Sequence, residues 1–282
     1  MTDTTHTTEA AHIIEAARLG VEPIELELGA IYGAVQADGS VKVIDLATDD
    51  HRKRLGEVPV RKTGHANLTE PTSFAHYVRA HAEPLRTALF ADRDAGRIVA
   101  LLNTHTADAD GEAGWGDHRA TLTLRQTPGW AAWTQASGKL VDQIQFAEFL
   151  EDRAADVVDP DAARLLEIAT SIEATTSAAM KSASRLDNGE VKLRYEETID
   201  ARAGQAGDLT IPSRIELALS PYEGMDPYKV TARFRYRLNN GRLRLGIVID
   251  RPEDILRAAF GDVTGLIETT TSQVVLHGTP LA

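Results

Sequence analysis

Along most of the chain apolar residues either alternate with polar ones or recur at helical spacing, and the switches between these periods mark the elements. Ile13, Ile14 and Ala17 recur at helical spacing within residues 9–19 and stop at Gly20, predicting a short amphipathic helix. Ile24, Leu26 and Leu28 alternate with Glu25 and Glu27 as in a strand. Val35 and the apolar stretch at 41–46 flank Asp38-Gly39, a dipeptide that favours a tight hairpin. Residues 49–71 are polar and are expected to be irregular. A helix capped by Thr72 or Ser73 would carry Phe74, Tyr77 and Val78 and end before Pro84. Residues 87–90 and 98–102 read as two strands across a turn at 92–96.

A Gly- and Asp-rich loop at 104–116 leads to alternating Ala120, Leu122 and Leu124, another strand. Pro128 opens a short helix with Trp130 and Trp133 on one side, and Ile144, Phe146, Phe149 and Leu150 mark the next. Asp159-Pro160 signals a helix start; Leu165, Leu166, Ile168 and Ile172 supply its buried face, and it is expected to run to about Leu186, before Asn188-Gly189. From residue 190 the period becomes two: Val191, Leu193 and Tyr195, then Ile211, Ile215, Leu217 and Leu219, then the long alternating stretch 228–250. Arg251-Pro252-Glu253-Asp254 starts a last helix with Ile255, Leu256 and Phe260, and residues 274–276 suit a short final strand.

The expected fold class is therefore α+β, a mixed N-terminal part followed by a C-terminal antiparallel sheet packed against a helix. The divisions are a tail and helix at 1–20, a mixed part at 21–186 and the sheet with its helix at 187–282, or one continuous domain over the last two.

The stretch 228–250 is the most specific element. A two-residue turn at Asn240-Gly241 pairs Leu238 with Leu243, Tyr236 with Leu245, Phe234 with Ile247 and Ala232 with Ile249, so turn chemistry and hydrophobic pattern select one register. The other face then carries Lys229, Arg233, Arg235, Arg237, Arg242 and Arg244, with Arg237 opposite Arg244. Like charges directly opposite are unfavourable unless an anion is near.

Charge makes this face stand out. The 282 residues hold 42 acidic and 30 basic side chains, a net of −12. Residues 189–250 contain 10 basic and 9 acidic of these, leaving 20 basic and 33 acidic elsewhere. A basic sheet face in an acidic chain has three readings: a solvated surface whose arginines pair with Glu196 and Glu216, an interface with an acidic surface of another copy, or a nucleic-acid groove. Nucleic-acid sheets interleave stacking aromatics among the basic residues, whereas Phe234 and Tyr236 fall on the apolar face. The global charge also disfavours nucleic acid and anionic membrane.

With 43% hydrophobic and 26% charged residues the composition is that of a globular protein with a sizeable core. The absence of cysteine removes disulfides, thiol catalysis and Cys-type metal sites, and fits a reducing compartment. No run reaches the roughly 20 apolar residues of a spanning helix, so no membrane partner is expected. The polar, Thr-rich residues 1–8 read as a frayed tail rather than a signal peptide.

Candidate chemistry is sparse. Asp108, Asp110 and Glu112 resemble a Ca²⁺ loop only superficially, because the spacing of the remaining ligand positions fails. His105 and His118 are candidates for acid/base or metal work, but their spacing matches no ligand motif; His76 and His81 do not share a helix face well. Trp115, Trp130 and Trp133 with Arg119 could stack a small ligand or close a small core, the second being the commoner role. There is no Walker A run, no Gly-x-Gly-x-x-Gly after a strand, no His-Glu-x-x-His and no Gly-x-Ser-x-Gly. No cofactor or metal is expected.

Three stretches carry a family resemblance: Trp115-Gly116-Asp117-His118-Arg119-Ala120 with Trp130-Ala131-Ala132-Trp133; residues 143–152; and the basic hairpin running into Asp250-Arg251-Pro252-Glu253. Together they resemble the YfdQ family of phage and prophage proteins. The family pattern has an acidic residue two before His105, where this chain has Asn103, which speaks against a carboxylate–His pair. The resemblance implies a phage or prophage product in the bacterial cytoplasm and brings no assigned activity. The leading expectation is a non-enzymatic, self-associating protein, a ring or shell component. The alternatives are a nucleic-acid accessory protein of phage replication or recombination, and an enzyme centred on His105 and His118.

Overall fold

Capping side chains and apolar stripes set the helices where the sequence offers both. A computed structural model of the protein describes residues 27, 29–35, 39–106, 111–185, 191–203, 210–239 and 242–280. The helix expected at 9–19, the strand signalled by Ile24, Leu26 and Leu28, the loop acids Asp108 and Asp110, and the turn Asn240-Gly241 lie outside these residues. The chain divides into two units, 1–62 and 63–282.

In the first unit β1 (Ile31–Val35) and β2 (Val41–Asp45) form the expected hairpin, with Val35 opposite Val41. A short helix, α1 (Asp49–Arg54), follows, where irregular chain was expected. Acidic Asp49 and Asp50 open it and Arg52, Lys53 and Arg54 close it, which suits the helix dipole. A helix this short carries too few apolar residues for periodicity to reveal it.

The second unit contains two five-stranded sheets. The first has the order β14-β4-β5-β6-β3, built from β3 (Gly64–Leu68), β4 (Ala88–Asp92), β5 (Arg97–Leu101), β6 (His118–Thr123) and β14 (Val275–His277). Its centre is antiparallel, and both edge strands are added in parallel. β3 corrects the expectation of irregular chain: it pairs with β6 and turns only Ala66 and Leu68 toward the core, too weak a pattern to read beforehand. Against this sheet pack α2 (Pro71–His81) and the C-terminal helix, called α6 below (Pro252–Thr271). Phe74, Ala75 and Val78 meet Phe260, Val263 and Ile267 over Leu89, Ile98 and Leu122. The residue capping α2 is Glu70, not Thr72 or Ser73; both hydroxyls instead donate to the Glu70 carboxylate, at 3.2 and 3.0 Å.

The second sheet is antiparallel, in the order β7-β13-β12-β11-β8: β7 (Val141–Asp142), β8 (Val157–Asp159), β11 (Arg214–Leu219), β12 (Tyr228–Asn239) and β13 (Arg242–Ile249). One face is covered by α3 (Pro128–Ala136), α4 (Gln143–Asp152) and α5 (Ala162–Ser171). Each helix begins on a side-chain cap: Thr127 accepts from Trp130 N, Asp142 from Gln145 N and Asp161 from Arg164 N. Trp130, Trp133, Phe146, Leu150, Leu165 and Ile168 interlock with Ile215, Leu217, Ala232, Phe234, Leu245, Ile247 and Ile249. Helix α6 reaches this core through Ile255 and Leu256.

The helix expected to run to Leu186 is much shorter. It begins after Asp161 and stops at Ser171, and the chain continues as β9 (Glu173–Arg185), paired antiparallel with β10 (Val191–Arg202). The alanines of 174–183 favour a helix, but pairing with a partner strand overrides that local preference, and β-branched Thr175 and Thr176 suit the switch. Among the described residues no helix is long and apolar enough to cross a membrane.

Candidate functional site

The β12–β13 hairpin has the register read from its pattern: Ala232 opposite Ile249, Phe234 opposite Ile247, Tyr236 opposite Leu245 and Leu238 opposite Leu243. The first three pairs are drawn into the core under α3 to α5, and the cover thins toward the turn, where Tyr236 is 36% exposed and Leu238 and Leu243 are half-buried. Pleating sends the intervening residues to the face without helices. There Lys229, Arg233, Arg235, Arg237, Arg242 and Arg244 are all exposed.

Two of the six are paired. Lys229 Nζ lies 2.8 Å from Glu216 on the neighbouring strand, and Arg233 Nε donates to Asp250 at 2.8 Å. Such exposed pairs contribute about 0–1 kcal/mol each. Arg235, Arg237, Arg242 and Arg244 have no ion pair among the described residues, and Arg237 stands directly opposite Arg244. The far side of the same layer pair is predominantly acidic: Glu148, Glu151 and Asp152 on α4 and Glu167 on α5 are exposed, against Arg164 as the exposed cation of these helices. The helices and the arginines therefore give the two outer faces opposite charge.

The segment after α3 runs along β13. Gly138 N donates to Ile247 O at 2.8 Å and Ile249 N donates to Ser137 Oγ at 3.0 Å. Lys139 O presses so closely on Gly246 that a Cβ there would lie 2.1 Å from it. Beside this crossing is a cleft of about 270 Å³ lined by Gly138, Leu140, Arg235, Tyr236, Arg237 and Val248.

The His–Trp group does not form one site. Trp130 and Trp133 are in the core beneath the second sheet, with Trp133 Nε1 donating to Asp156 at 2.8 Å and its ring edge-on to Phe149 at 4.8 Å. Trp115 does not share that core; it is 77% exposed, in a loop where Gly114 is packed against the carbonyls of Asn103 and Thr104. His105 is exposed and its Nδ1 accepts from Gly114 N at 3.1 Å. Arg119 donates through Nε to Gly116 O.

His118 is buried on β6 facing α2. Its Nε2 is 3.3 Å from the Tyr77 hydroxyl and its ring centre 5.6 Å from that of His81, while the Tyr77 and His81 rings are tilted by 44° with centres 4.4 Å apart. Tyr77 and His81 are the partners that sequence reasoning missed. Their spacing of four on a helix was the available signal, but nothing in the pattern said which strand that helix would face. Asn103 explains itself in the structure: its Oδ1 accepts from His118 N at 3.0 Å and its Nδ2 donates to Asp117 at 2.8 Å. An acid in this place could make only the first bond. Among the described residues no group of three or more His, Asp or Glu side chains is arranged to hold a metal ion.

One tyrosine is strongly perturbed. Burial, the hydrogen bond from its hydroxyl to Asp262 and the negative charges of Asp262 and Asp226 raise the Tyr228 phenol well above its usual range. The bond ties β12 to α6.

Compared with known proteins, residues 6–280 match a family described as an uncharacterized conserved protein (DUF2303). No curated protein and no solved structure matches the chain.

Proposed function

We propose that this protein, which belongs to the DUF2303 family, is a self-associating, non-enzymatic phage or prophage protein whose copies join head to tail through the basic sheet face. The observation that carries the reading is the exposed set Arg235, Arg237, Arg242 and Arg244, without an ion pair among the described residues, in a chain of net charge −12. An unrelieved like-charge pair such as Arg237 and Arg244 calls for an anionic neighbour. The acidic outer surface of α4 on another copy supplies one. Because the two contacting surfaces differ, the contact repeats and builds a ring or shell if the rotation closes. The phage setting rests on the resemblance to the YfdQ family.

The test is the mass in solution by light scattering after size exclusion. Wild type is expected as a large, discrete species and Arg235→Glu/Arg237→Glu as a monomer of 30.6 kDa. The double variant should fold, since Glu at 237 opposite Arg244 replaces a repulsive pair by an attractive one. A wild-type monomer, or an unchanged assembly in the variant, overturns the reading.

A second reading, a nucleic-acid groove, rests on the exposed arginines Arg235, Arg237, Arg242 and Arg244 alone, since Tyr236 turns to the opposite face of the sheet. It predicts that wild type binds a labelled single-stranded oligodeoxynucleotide with an affinity falling steeply with salt, and that the double variant does not. Salt-insensitive or absent binding removes it.

A further inference from the structure

Away from the basic face, α3 and α4 diverge around a cavity of about 420 Å³ whose floor is β13. Its origin is legible in side-chain size. Ala132 and Ala136 on α3 line it with Phe146 and Phe149 on α4, and two small residues beside two rings leave a gap, floored by the β13 backbone at Gly246. The rings are held in place: Phe149 edge-on to Trp133 at 4.8 Å, Phe146 against Phe234 at 5.8 Å. The walls are mostly carbon; the charged groups lining the cavity are the cations Lys139 and Arg153 and one carboxylate, Asp152, which forms no ion pair with Arg153 and leaves the lining with a net positive charge.

Arg153 is the unusual member. It follows the last turn of α4, its backbone N–H is tied to Leu150 O at 3.3 Å, and its side chain is partly buried. Among the described residues its guanidinium has neither an ion pair nor a hydrogen bond. A guanidinium taken part-way out of water beside an apolar wall costs stability unless an anion meets it. Pre-formed pockets of this size, largely apolar with a few converging polar groups, are the usual form of small-molecule sites.

We propose that this cavity binds an amphipathic organic anion, an aromatic body of roughly two or three rings lying against Phe146 and Phe149 with one carboxylate or sulfonate paired to Arg153. Lys139 adds a second, more solvated positive charge at the same rim. Asp152 lines the cavity and also belongs to the acidic α4 face of the proposed head-to-tail contact, so the titration is run on the Arg235→Glu/Arg237→Glu chain as well as on wild type.

The experiment compares two dyes of nearly the same shape, 8-anilinonaphthalene-1-sulfonate and its uncharged counterpart N-phenyl-1-naphthylamine, by fluorescence titration of the full chain. Wild type should bind the sulfonate saturably, one per chain. Arg153→Met should weaken the sulfonate roughly tenfold or more and leave the neutral dye within about a factor of two. Ala136→Phe, which fills the cavity, should abolish both; Gln145→Phe, at the exposed rim, serves the same end if the first variant fails a thermal-melting check. Absence of saturable sulfonate binding, equal binding by wild type and Arg153→Met, or equal binding by a folded cavity-filled variant overturns the proposal.

Discussion

At the scale of single residues, small polar and backbone groups decide more than the conspicuous aromatics do. Asn103 is both acceptor for His118 N and donor to Asp117, so it closes the loop that carries Trp115 and Gly116 onto β6. Asn103→Asp keeps the shape, loses the donor and sets two carboxylates together. It is expected to cost about 1–3 kcal/mol, read as a lowered midpoint in urea at neutral pH. Gly246 is a second such position. A methyl group there would meet Lys139 O at 2.1 Å, and the segment 137–140 is already bonded to β13, so it cannot simply step away. Gly246→Ala should destabilise by about 1–3 kcal/mol in the same measurement, and an unchanged midpoint would show that the crossing segment yields freely. Neither role was legible in the sequence, because each depends on a carbonyl or amide brought from a distant part of the chain.

Elements behave differently. Those that combine a period with a boundary signal were readable: the hairpin β12–β13 down to its register, α3 opening at Pro128, α4 with its apolar stripe, and β4 and β5 across their turn. Those that depend on a partner were not. β3 exists because β6 offers it an edge, and β9 takes the extended form along β10 despite its alanines. Of the candidate site, the basic face was legible because strand alternation alone places it. The pairing of His118 with Tyr77 and His81 was not, because it joins a helix to a strand about 40 residues away. The tie between β12 and α6 allows a pH test. The folded-state pKa of Tyr228 is raised above the usual 10.0, chiefly by burial and then by Asp262. Its contribution is therefore fully present below pH 10 and is lost as pH rises from there toward the folded-state value. Stability measured by denaturant should fall above pH 10 more steeply in wild type than in Tyr228→Phe; parallel pH curves would show that the tie carries no such linkage.

For the whole molecule, the second sheet and its helices form a layer pair with opposite charge on its two outer faces. Arginines emerge from the open side of β12 and β13, and Glu148, Glu151 and Asp152 from the outer side of α4. Neither face needs the other for folding: the core between them is closed by Trp133, Phe146, Phe234 and Ile247. Charge can thus be reversed on either face with little effect on the fold, which separates stability from association. The most direct test of head-to-tail contact uses that separation. One chain carries Arg235→Glu/Arg237→Glu, a second carries Glu148→Arg/Glu151→Arg, and the mass of each and of their equimolar mixture is measured by light scattering. In the mixture each acidic face again meets a basic one, so the prediction is a monomer for either variant alone and the wild-type mass restored on mixing. Two variants that each keep the wild-type mass, or a mixture that stays monomeric, would contradict the account.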